Sequence, residues 1–272
     1  MNIAIAHCAW LSERHRTLGR LLEQLGGDVK VFRSVHREHA AVWAARVWEW
    51  ACEVGGHVCV LNDDVILHPQ FRAICDAMVQ AIPDELISLH TSVPGAVEVA
   101  RAGYAWCRSY WSTGPGYILP PLLAREFLSW GPWQFVSRIN EDNRMIHVLW
   151  ERQRPAWCAI PAPLMHDISV PSSLGYDHHP NRTPSVPWQD FPESDLTDPE
   201  YWTPAPETPH VPNPWMPVEK LEHIRRMLAR GGQPCVMCLS LEGVVGPRGG
   251  PLVCQNCVAQ LSSALILGKA QP

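Results

Sequence analysis

The alternation of short apolar runs with amphipathic segments constrains the fold of this chain more than any other feature of its sequence. Four apolar runs have the length of buried strands: 2–7, 29–35, 57–67 and 85–90. Three segments between them carry apolar residues at helical spacing: 12–25, 38–54 and 69–82. This alternation predicts an α/β domain in which helices cover both faces of a mainly parallel sheet.

Later segments of the same domain are less regular. The stretch WSTGPGYILP (111–120) predicts a turn followed by a strand, and 121–130 has a helical pattern. A further helix is expected over about 142–152, and 157–166 is expected to be a strand or an extended segment. We assign all of these elements to one domain that covers residues 1–176.

The composition changes after this domain. The stretch from Tyr176 to Pro217 contains eleven prolines, with Pro217 included, and they prevent regular structure. The same stretch contains several aromatic residues, so we expect 177–216 to form an extended wrap on the domain or a linker. Residues 217–232 then have a helical pattern that begins at a proline and ends at a glycine pair.

The overall charge and the first residues argue against several classes of protein. A formal net charge of -5 argues against a strongly basic nucleic-acid coat. The first residues do not have the pattern of a signal peptide, and no apolar run reaches the roughly 18 residues of a membrane span. We therefore expect a cytoplasmic protein without a membrane span, located in the host cytoplasm if a phage encodes it.

Asn62, Asp63 and Asp64 directly follow the apolar strand VCVL. Ligands of open α/β sheets bind at the carboxyl ends of the strands. Carboxylates at that position hold Mn²⁺ or Mg²⁺, which in turn bind the phosphates of an activated donor. The alternative is that the two aspartates cap the next helix or form a surface turn, and these residues alone leave both interpretations open.

The run HREHAAVWAARVWEWACEVGGHVCVLNDDVILHPQF resembles the front half of small GT-A fold glycosyltransferases, where a strand ends in a variant of the DxD motif. The resemblance covers about residues 1–176 and implies a Rossmann-like mixed sheet flanked by helices. It places the metal ligand on Asp64 and brings Asp63 or Asn62 to the ribose or the metal. The aromatic residue that follows the motif in this family corresponds to Phe71.

Other segments resemble the same family in order and character. HCAWLSERHRTLGRLLEQL resembles its nucleotide-binding strand, loop and helix, which implies nucleotide contacts for His7, Ser12 and Arg14. WSTGPGYILP resembles the acceptor-side segment of the family. PAPLMHDISVPSSLG resembles a late segment in which a histidine completes the metal site, and this histidine corresponds to His166. A structural role for His166 is the alternative.

The segment NEDN contains Glu141 and Asp142 and resembles the acidic segment of inverting GT-A enzymes. An inverting transferase needs a carboxylate that removes the proton of the acceptor hydroxyl. The resemblance assigns this role to Asp142, with Glu141 beside it. The alternative is that both residues cap a helix from its first turn.

Four cysteines form two CxxC pairs separated by fifteen residues: Cys235, Cys238, Cys254 and Cys257. Four thiolates at this spacing predict a structural Zn²⁺ site in a segment, 233–272, that is too small for a core of its own. GVVGPRGGP between the pairs predicts a hairpin and VAQLSSALIL predicts a following helix, which together describe a treble clef. Four unrelated reduced thiols are the alternative.

This cysteine-rich segment closely resembles the zinc-binding module of the Clp protease's unfoldase, a module that dimerises and binds adaptors or substrates. The resemblance covers about 233–266 and implies a homodimer or a partner contact through the zinc domain, without unfoldase activity. Residues 217–272 also carry a mild excess of basic residues, which permits contact with nucleic acid.

These features together predict a metal-dependent glycosyltransferase that uses a nucleotide sugar, expected to be a UDP-sugar, with catalytic Mn²⁺ or Mg²⁺. Two kinds of acceptor stay open: a hydroxymethylated pyrimidine in phage DNA, or a hydroxyl of lipooligosaccharide, capsule or protein. The rival from another class is a non-catalytic binding protein on a decayed GT-A fold.

Overall fold

A computed structural model of the chain describes residues 1–35, 40–110, 115–130, 141–171 and 184–213, with Glu219, Glu222 and two short strands further on. The strands are β1 (Asn2–Cys8), β2 (Val29–Ser34), β3 (Val58–Asn62), β4 (Val65–Leu67), β5 (Ile87–Ser88), β6 (Trp106–Ser109), β7 (Gly116–Leu119), β8 (Ala156–Ala159), β9 (Leu164–His166), β10 (Val244–Val245) and β11 (Val253–Cys254). The helices are α1 (Glu13–Leu25), α2 (Ala40–Val54), α3 (Phe71–Ala81), α4 (Ala96–Arg101), α5 (Pro121–Ser129) and α6 (Glu141–Glu151).

Seven strands form one mixed sheet in the order β2-β1-β3-β7-β5-β8-β6. β1 pairs in parallel with β2 and β3, and β5 pairs in parallel with β8. β7 runs antiparallel between β3 and β5, and β6 runs antiparallel beside β8. The predicted α/β class is confirmed, and the architecture is compatible with a Rossmann-like fold. The sheet is less parallel than the alternation of strands and helices predicts.

Two apolar layers hold the helices on opposite faces of this sheet. On one face, α1 and α3 bury Leu21 and Ile74 in a single cluster with side chains of β1 and β3. On the other face, α2, α5 and α6 bury Trp48, Phe127 and Leu149. Burial of each such side chain contributes about 1.5–3 kcal/mol. Packing on the sheet therefore stabilises helices that are too short to be stable in isolation.

A second, two-stranded sheet lies beside the first one. The apolar run 57–67 is divided into β3 and β4 by a bend at Asp63 and Asp64, and β4 pairs antiparallel with β9. A Cβ atom at Gly116 would overlap the Leu164 side chain and would lie 3.1 Å from Cδ2 of Leu61. The absence of a side chain at Gly116 therefore lets β9 pack closely against the main sheet.

The described part of the proline-rich segment, 184–213, packs on the domain. Trp202 is fully buried against Trp106, whose indole N–H donates to the carbonyl of Trp202 at 2.7 Å. The hydroxyl of Tyr201 donates to the carbonyl of Ile160, and the amide of Asn213 donates to the carbonyl of Tyr110. These contacts hold 184–213 on the domain, and Trp202 belongs to its core.

Two elements, α4 and β6, are absent from the sequence-based prediction. The predicted helix at 217–232 lies outside the described residues, apart from Glu219 and Glu222, which are helical. The predicted zinc domain also lies outside them, except that β10 and β11 pair antiparallel. None of the helices among the residues described combines the length and apolar character needed to cross a bilayer.

Candidate functional site

Asp63 is the most buried charged group at the carboxyl edge of the sheet, and its side chain is fully enclosed. Its Oδ2 accepts from the backbone N–H of Cys8 at 2.8 Å and lies 2.7 Å from Nδ1 of His7. Its Oδ1 accepts from Nη1 of Arg14 at 2.5 Å. A buried carboxylate needs such partners, and here they come from β1 and α1. Asp63 therefore joins β1, α1 and the end of β3.

Asp64 lies one residue further and belongs to a different set of contacts. Its Oδ2 accepts from Nη2 of Arg14 at 2.9 Å and lies 3.4 Å from Nδ1 of His166. Val65 stands opposite His166 in the register of β4 and β9, which places the aspartate and the histidine side by side. Nδ1 of His166 makes no hydrogen bond within the described residues. The structure thus brings together the two side chains to which the resemblance assigns the catalytic metal.

Arg14 is almost fully buried, with 2% of its surface exposed. Besides the two aspartates, its Nη2 donates to the carbonyl of Pro171 at 2.8 Å. Burial acts to lower the pKa of Arg14, but the carboxylates of Asp64 and Asp63 outweigh this effect and raise the pKa above its ordinary value. The resemblance implies a nucleotide contact for Arg14, whereas the structure directs its guanidinium group at protein acceptors.

The segment that follows β9 is fixed by a second arginine. Oδ2 of Asp167 accepts from Nη2 of Arg20 at 2.5 Å, and the backbone N–H of Asp167 donates to the carbonyl of Asp64 at 2.7 Å. Burial acts to raise the pKa of Asp167, but hydrogen bonds from Ser169 and Arg20 outweigh burial and hold the pKa below its ordinary value. Asp167 therefore remains ionised at neutral pH and anchors this segment to α1.

His90 is a further residue that the sequence interpretation missed. It follows β5, is fully buried, and packs its ring against His166 at a centroid distance of 5.3 Å. Arg20 and Asp167 lie within segments that resemble the GT-A family, but the resemblance assigns a role to neither of them, and His90 lies outside those segments. Their one sequence signal is position, because His90 follows a strand and Asp167 follows His166 directly.

The remaining predicted site residues have fewer described contacts. Asn62 ends β3 and is half-buried, and Ser12 is exposed, with its hydroxyl donating to Glu13 at 3.1 Å. His7 is turned toward Asp63 and is buried. His7 lies near the end of β1 and Ser12 precedes α1, so both lie beside the loop between these two elements.

Asp142 and Glu141 lie in the first turn of α6, and the side chain of Glu141 is outside the described residues. The short connection 152–155 places the carboxyl end of α6 at the amino end of β8, which runs parallel to β3 across the sheet. The amino end of α6 therefore points toward the edge of the sheet that carries the two aspartates.

Asp64 and His166 offer one carboxylate oxygen and one imidazole nitrogen to an ion. Mn²⁺ accepts both kinds of donor, whereas Mg²⁺ prefers oxygen donors, so this pair fits Mn²⁺ better. Across the described residues, no group of three His, Cys, Asp or Glu side chains is placed to hold a metal ion. The remaining coordination positions would have to come from substrate oxygens or water. The cysteines predicted to bind zinc lie outside the described side chains.

The fold and the site together define a mixed α/β protein with an acidic, arginine-bound site at the carboxyl edge of its sheet. No protein-family model and no curated protein matches the chain. Among solved structures, A197 from STIV aligns with a TM-score of 0.39 and 13% identity, over 61% of this chain and 84% of that chain. At this score the similarity supports no inference about function.

Proposed function

We propose that the protein is a metal-dependent glycosyltransferase that transfers a sugar from a nucleotide donor, in the first place a UDP-sugar, to a hydroxyl acceptor. One observation carries the proposal. The aspartate pair leaves the sheet at the carboxyl end of β3, and its second member, Asp64, stands 3.4 Å from His166 of β9. A carboxylate and an imidazole from distant parts of the chain thus lie together at the edge where α/β sheets bind ligands, and in this proposal they hold one cation.

In this proposal, each residue of the site has a separate role. Asp64 and His166 hold the cation, which would neutralise charge on the departing nucleoside diphosphate. Asp63 holds the bend between β3 and β4 in place through His7, Cys8 and Arg14. Ser12 and Asn62 border the space in which the nucleotide would bind.

Asp142 is the proposed base that accepts the proton of the acceptor hydroxyl, with Glu141 next to it. Its support is topological, because the amino end of α6 points toward the edge of the sheet that holds Asp64. A general base typically contributes 10²–10⁴-fold to a rate, roughly, so Asp142→Asn is expected to lower transfer within that range. Hydrolysis of the donor by water would fall less, since water is smaller and more mobile than the acceptor.

The donor is tested by thermal shift with a panel of nucleotide sugars, each with and without Mn²⁺. The proposal expects one donor to raise the melting temperature in the presence of Mn²⁺, because a ligand that binds only the folded protein stabilises it. The same donor should release its nucleotide slowly in water. A panel in which no nucleotide or nucleotide sugar shifts the melting temperature would contradict the proposal.

For the acceptor, we propose a hydroxymethylated pyrimidine in DNA, with lipooligosaccharide, capsule or protein hydroxyls as the alternatives. The support is the predicted cytoplasmic location and the zinc domain with its mild excess of basic residues, because a second contact raises the local concentration of a polymer. Incubation with hydroxymethylated DNA and the donor, followed by mass spectrometry of nucleosides, should reveal a hexose adduct. Transfer to a glycan or protein and none to DNA would decide for the alternatives.

A non-catalytic binding protein is the second candidate function. Two observations favour it: Arg14 binds both aspartates, and the described residues contain no group of three metal-ligating side chains. Such a protein would bind the nucleotide sugar without releasing its nucleotide in the presence of any acceptor tested. Nucleotide release that depends on Mn²⁺ would exclude it.

A further inference from the structure

The aspartate pair contains its own counter-ion. Arg14 contacts Asp63 through Nη1 and Asp64 through Nη2, and all three side chains are at least nine-tenths buried. Because opposite charges attract more strongly away from bulk water, this arrangement stabilises both carboxylates without an ion. The guanidinium group also bonds to the carbonyl of Pro171, which fixes its position beside Asp64.

Arg14 already occupies the oxygen of Asp64 that faces His166, because its Nη2 donates to Oδ2 and Nδ1 of His166 lies 3.4 Å from that same atom. Two carboxylates, Asp63 and Asp64, face one guanidinium, so these three groups sum to one negative charge. Arg20 and Asp167 form a neutral pair beside them and change nothing in this balance. A divalent cation that binds Asp64 without an anion would therefore compete with the guanidinium for Oδ2, and it would place two positive charges, its own and that of Arg14, side by side in a buried site.

The number of protein ligands leads to the same conclusion. Asp64 and His166 supply two donor atoms, and the described residues contain no larger group of metal-ligating side chains. A diphosphate carries two or more negative charges at neutral pH and several oxygen ligands. It would complete the coordination of the ion and also remove the excess positive charge.

We propose that Arg14 is a built-in counter-ion that keeps the site from binding a divalent cation alone, so that the cation and a nucleoside diphosphate group bind together. Arg14 is thus a positioning residue that acts through Asp64, not a contact to the nucleotide. This inference rests on the proposed function and adds to it a rule of binding order. The cation and the nucleoside diphosphate should each strengthen the binding of the other. By thermodynamic linkage, the factor must be the same in both directions.

The coupling is measured on the unmodified protein. Mn²⁺ binding is followed by electron paramagnetic resonance, without and with saturating UDP, and UDP binding is followed by calorimetry without and with Mn²⁺. We expect UDP to tighten Mn²⁺ binding at least tenfold and Mn²⁺ to tighten UDP binding by the same factor. Inorganic pyrophosphate in place of UDP should give much of the effect, because the charge and the oxygen ligands come from the diphosphate.

Variants at Arg14 test the role of its charge. Arg14→Met should bind Mn²⁺ alone at least tenfold more tightly than the unmodified protein, and the coupling to UDP should fall. Arg14→Lys keeps the charge and should behave much more like the original. Arg16→Met removes an exposed arginine of the same helix and should change neither affinity. Circular dichroism establishes whether each variant is folded before it is compared.

The possible results separate the inference from the proposed function. Tight Mn²⁺ binding without UDP by the unmodified protein, or equal Mn²⁺ affinity in folded Arg14→Met, would overturn the inference and leave the transferase proposal standing. If Arg14→Met does not fold, Arg14→Gln, which also removes the charge, takes its place in the comparison with the unmodified protein. If neither Mn²⁺ nor UDP binds in any combination, the proposed function fails and the inference fails with it.

Discussion

At the scale of single residues, Asp63 and Asp64 have different environments although they are neighbours. The donors to Asp63 that come from His7 and Arg14 lie 56 and 49 positions away in the chain. The sequence predicts the aspartate pair as a unit, from its place after an apolar strand. Which of the two is enclosed depends on contacts over these long separations, and no local pattern reveals it.

Asp63→Asn should lower the free energy of unfolding by about 3–5 kcal/mol, because it removes one member of a buried ion pair and leaves Arg14 partly uncompensated. Urea denaturation followed by circular dichroism measures the loss. Glu98→Gln is the matched control, since it breaks an exposed ion pair with Arg101 that is worth at most about 1 kcal/mol. Equal losses in the two variants would show that Asp63 has no special structural role.

The long-range pairs of the site were beyond prediction for the same reason. Arg20 and Asp167 are 147 positions apart, and each looks like an ordinary surface residue in the sequence. The resemblance to GT-A enzymes predicted His166 from its segment, but it did not indicate Asp167 or His90. The nucleotide contact of Arg14 was predicted from the position of this residue at the start of the first helix. The sequence does not reveal that its guanidinium group binds Asp63 and Asp64.

Titration of Asp167 should make the free energy of unfolding depend on pH in the acid range. Its pKa in the folded protein is below the ordinary value of 3.8, so its stabilising contribution is complete above that value and is lost as the pH falls through the folded pKa. The difference in unfolding free energy between the original protein and Asp167→Asn should be constant near neutral pH and should shrink below about pH 4. Asp28→Asn, at an exposed position, should show little difference at any pH.

The assignment would be contradicted if the difference in unfolding free energy between the original protein and Asp167→Asn stayed the same from neutral pH to pH 2.5. Chemical denaturation at each pH is suitable, because it gives the free energy directly. The cluster around Asp167 also contains Asp64, Arg20 and His166, and the same substitution leaves these groups in place. The shrinking difference therefore reports the titration of Asp167 in its contact with Arg20 and Ser169.

At the scale of elements, α1, α2, α3, β1 and β2 agree with the sequence prediction to within a few residues, whereas the run predicted as one strand over 57–67 is divided into β3 and β4. Their periodic patterns are long enough to distinguish a helix from a strand. The prediction of a mainly parallel sheet was wrong in its second half, where β7 and β6 run antiparallel. The direction of a strand depends on its neighbours in the sheet, and the two elements absent from the prediction, α4 and β6, are too short to show a period.

Gly116→Ala tests the packing of β9 against the main sheet. The added methyl group would overlap the Leu164 side chain, so we expect a loss of about 1–3 kcal/mol in unfolding free energy. Gly19→Ala is the matched control within α1, where nothing lies within 4 Å of the added atom. It should stabilise the helix by about 0.5–1 kcal/mol. Similar effects in both variants, measured in urea, would contradict the close packing at Gly116.

At the scale of the whole molecule, the proline-rich segment and the cysteine-rich segment differ in how much of their structure the sequence alone predicts. The aromatic residues of 177–216 already favoured packing over a free linker, but the burial of Trp202 against Trp106 needs the folded structure. The cysteine spacing is a strong local pattern, and the zinc domain it predicts needs no long-range contact to be recognised.

The zinc prediction is tested by metal analysis of freshly purified protein, which should contain about one Zn²⁺ per chain. Cys254→Ser should lose the zinc and any dimer formed through 233–272. The mixed sheet should keep its melting temperature, because its core lies in 1–171 and 184–213. Protein that contains no zinc when purified without chelators would contradict the prediction.

The central claim is that Asp64 and His166 hold the cation of a nucleotide-sugar transferase, and nucleotide release from the donor tests it most directly. With the donor found by thermal shift and Mn²⁺, Asp64→Asn should release nucleotide about 10²–10³-fold more slowly than the original protein. EDTA should have a comparable effect, and Glu98→Gln should have none. An Asp64→Asn protein that is folded and releases nucleotide at the full rate would contradict the claim.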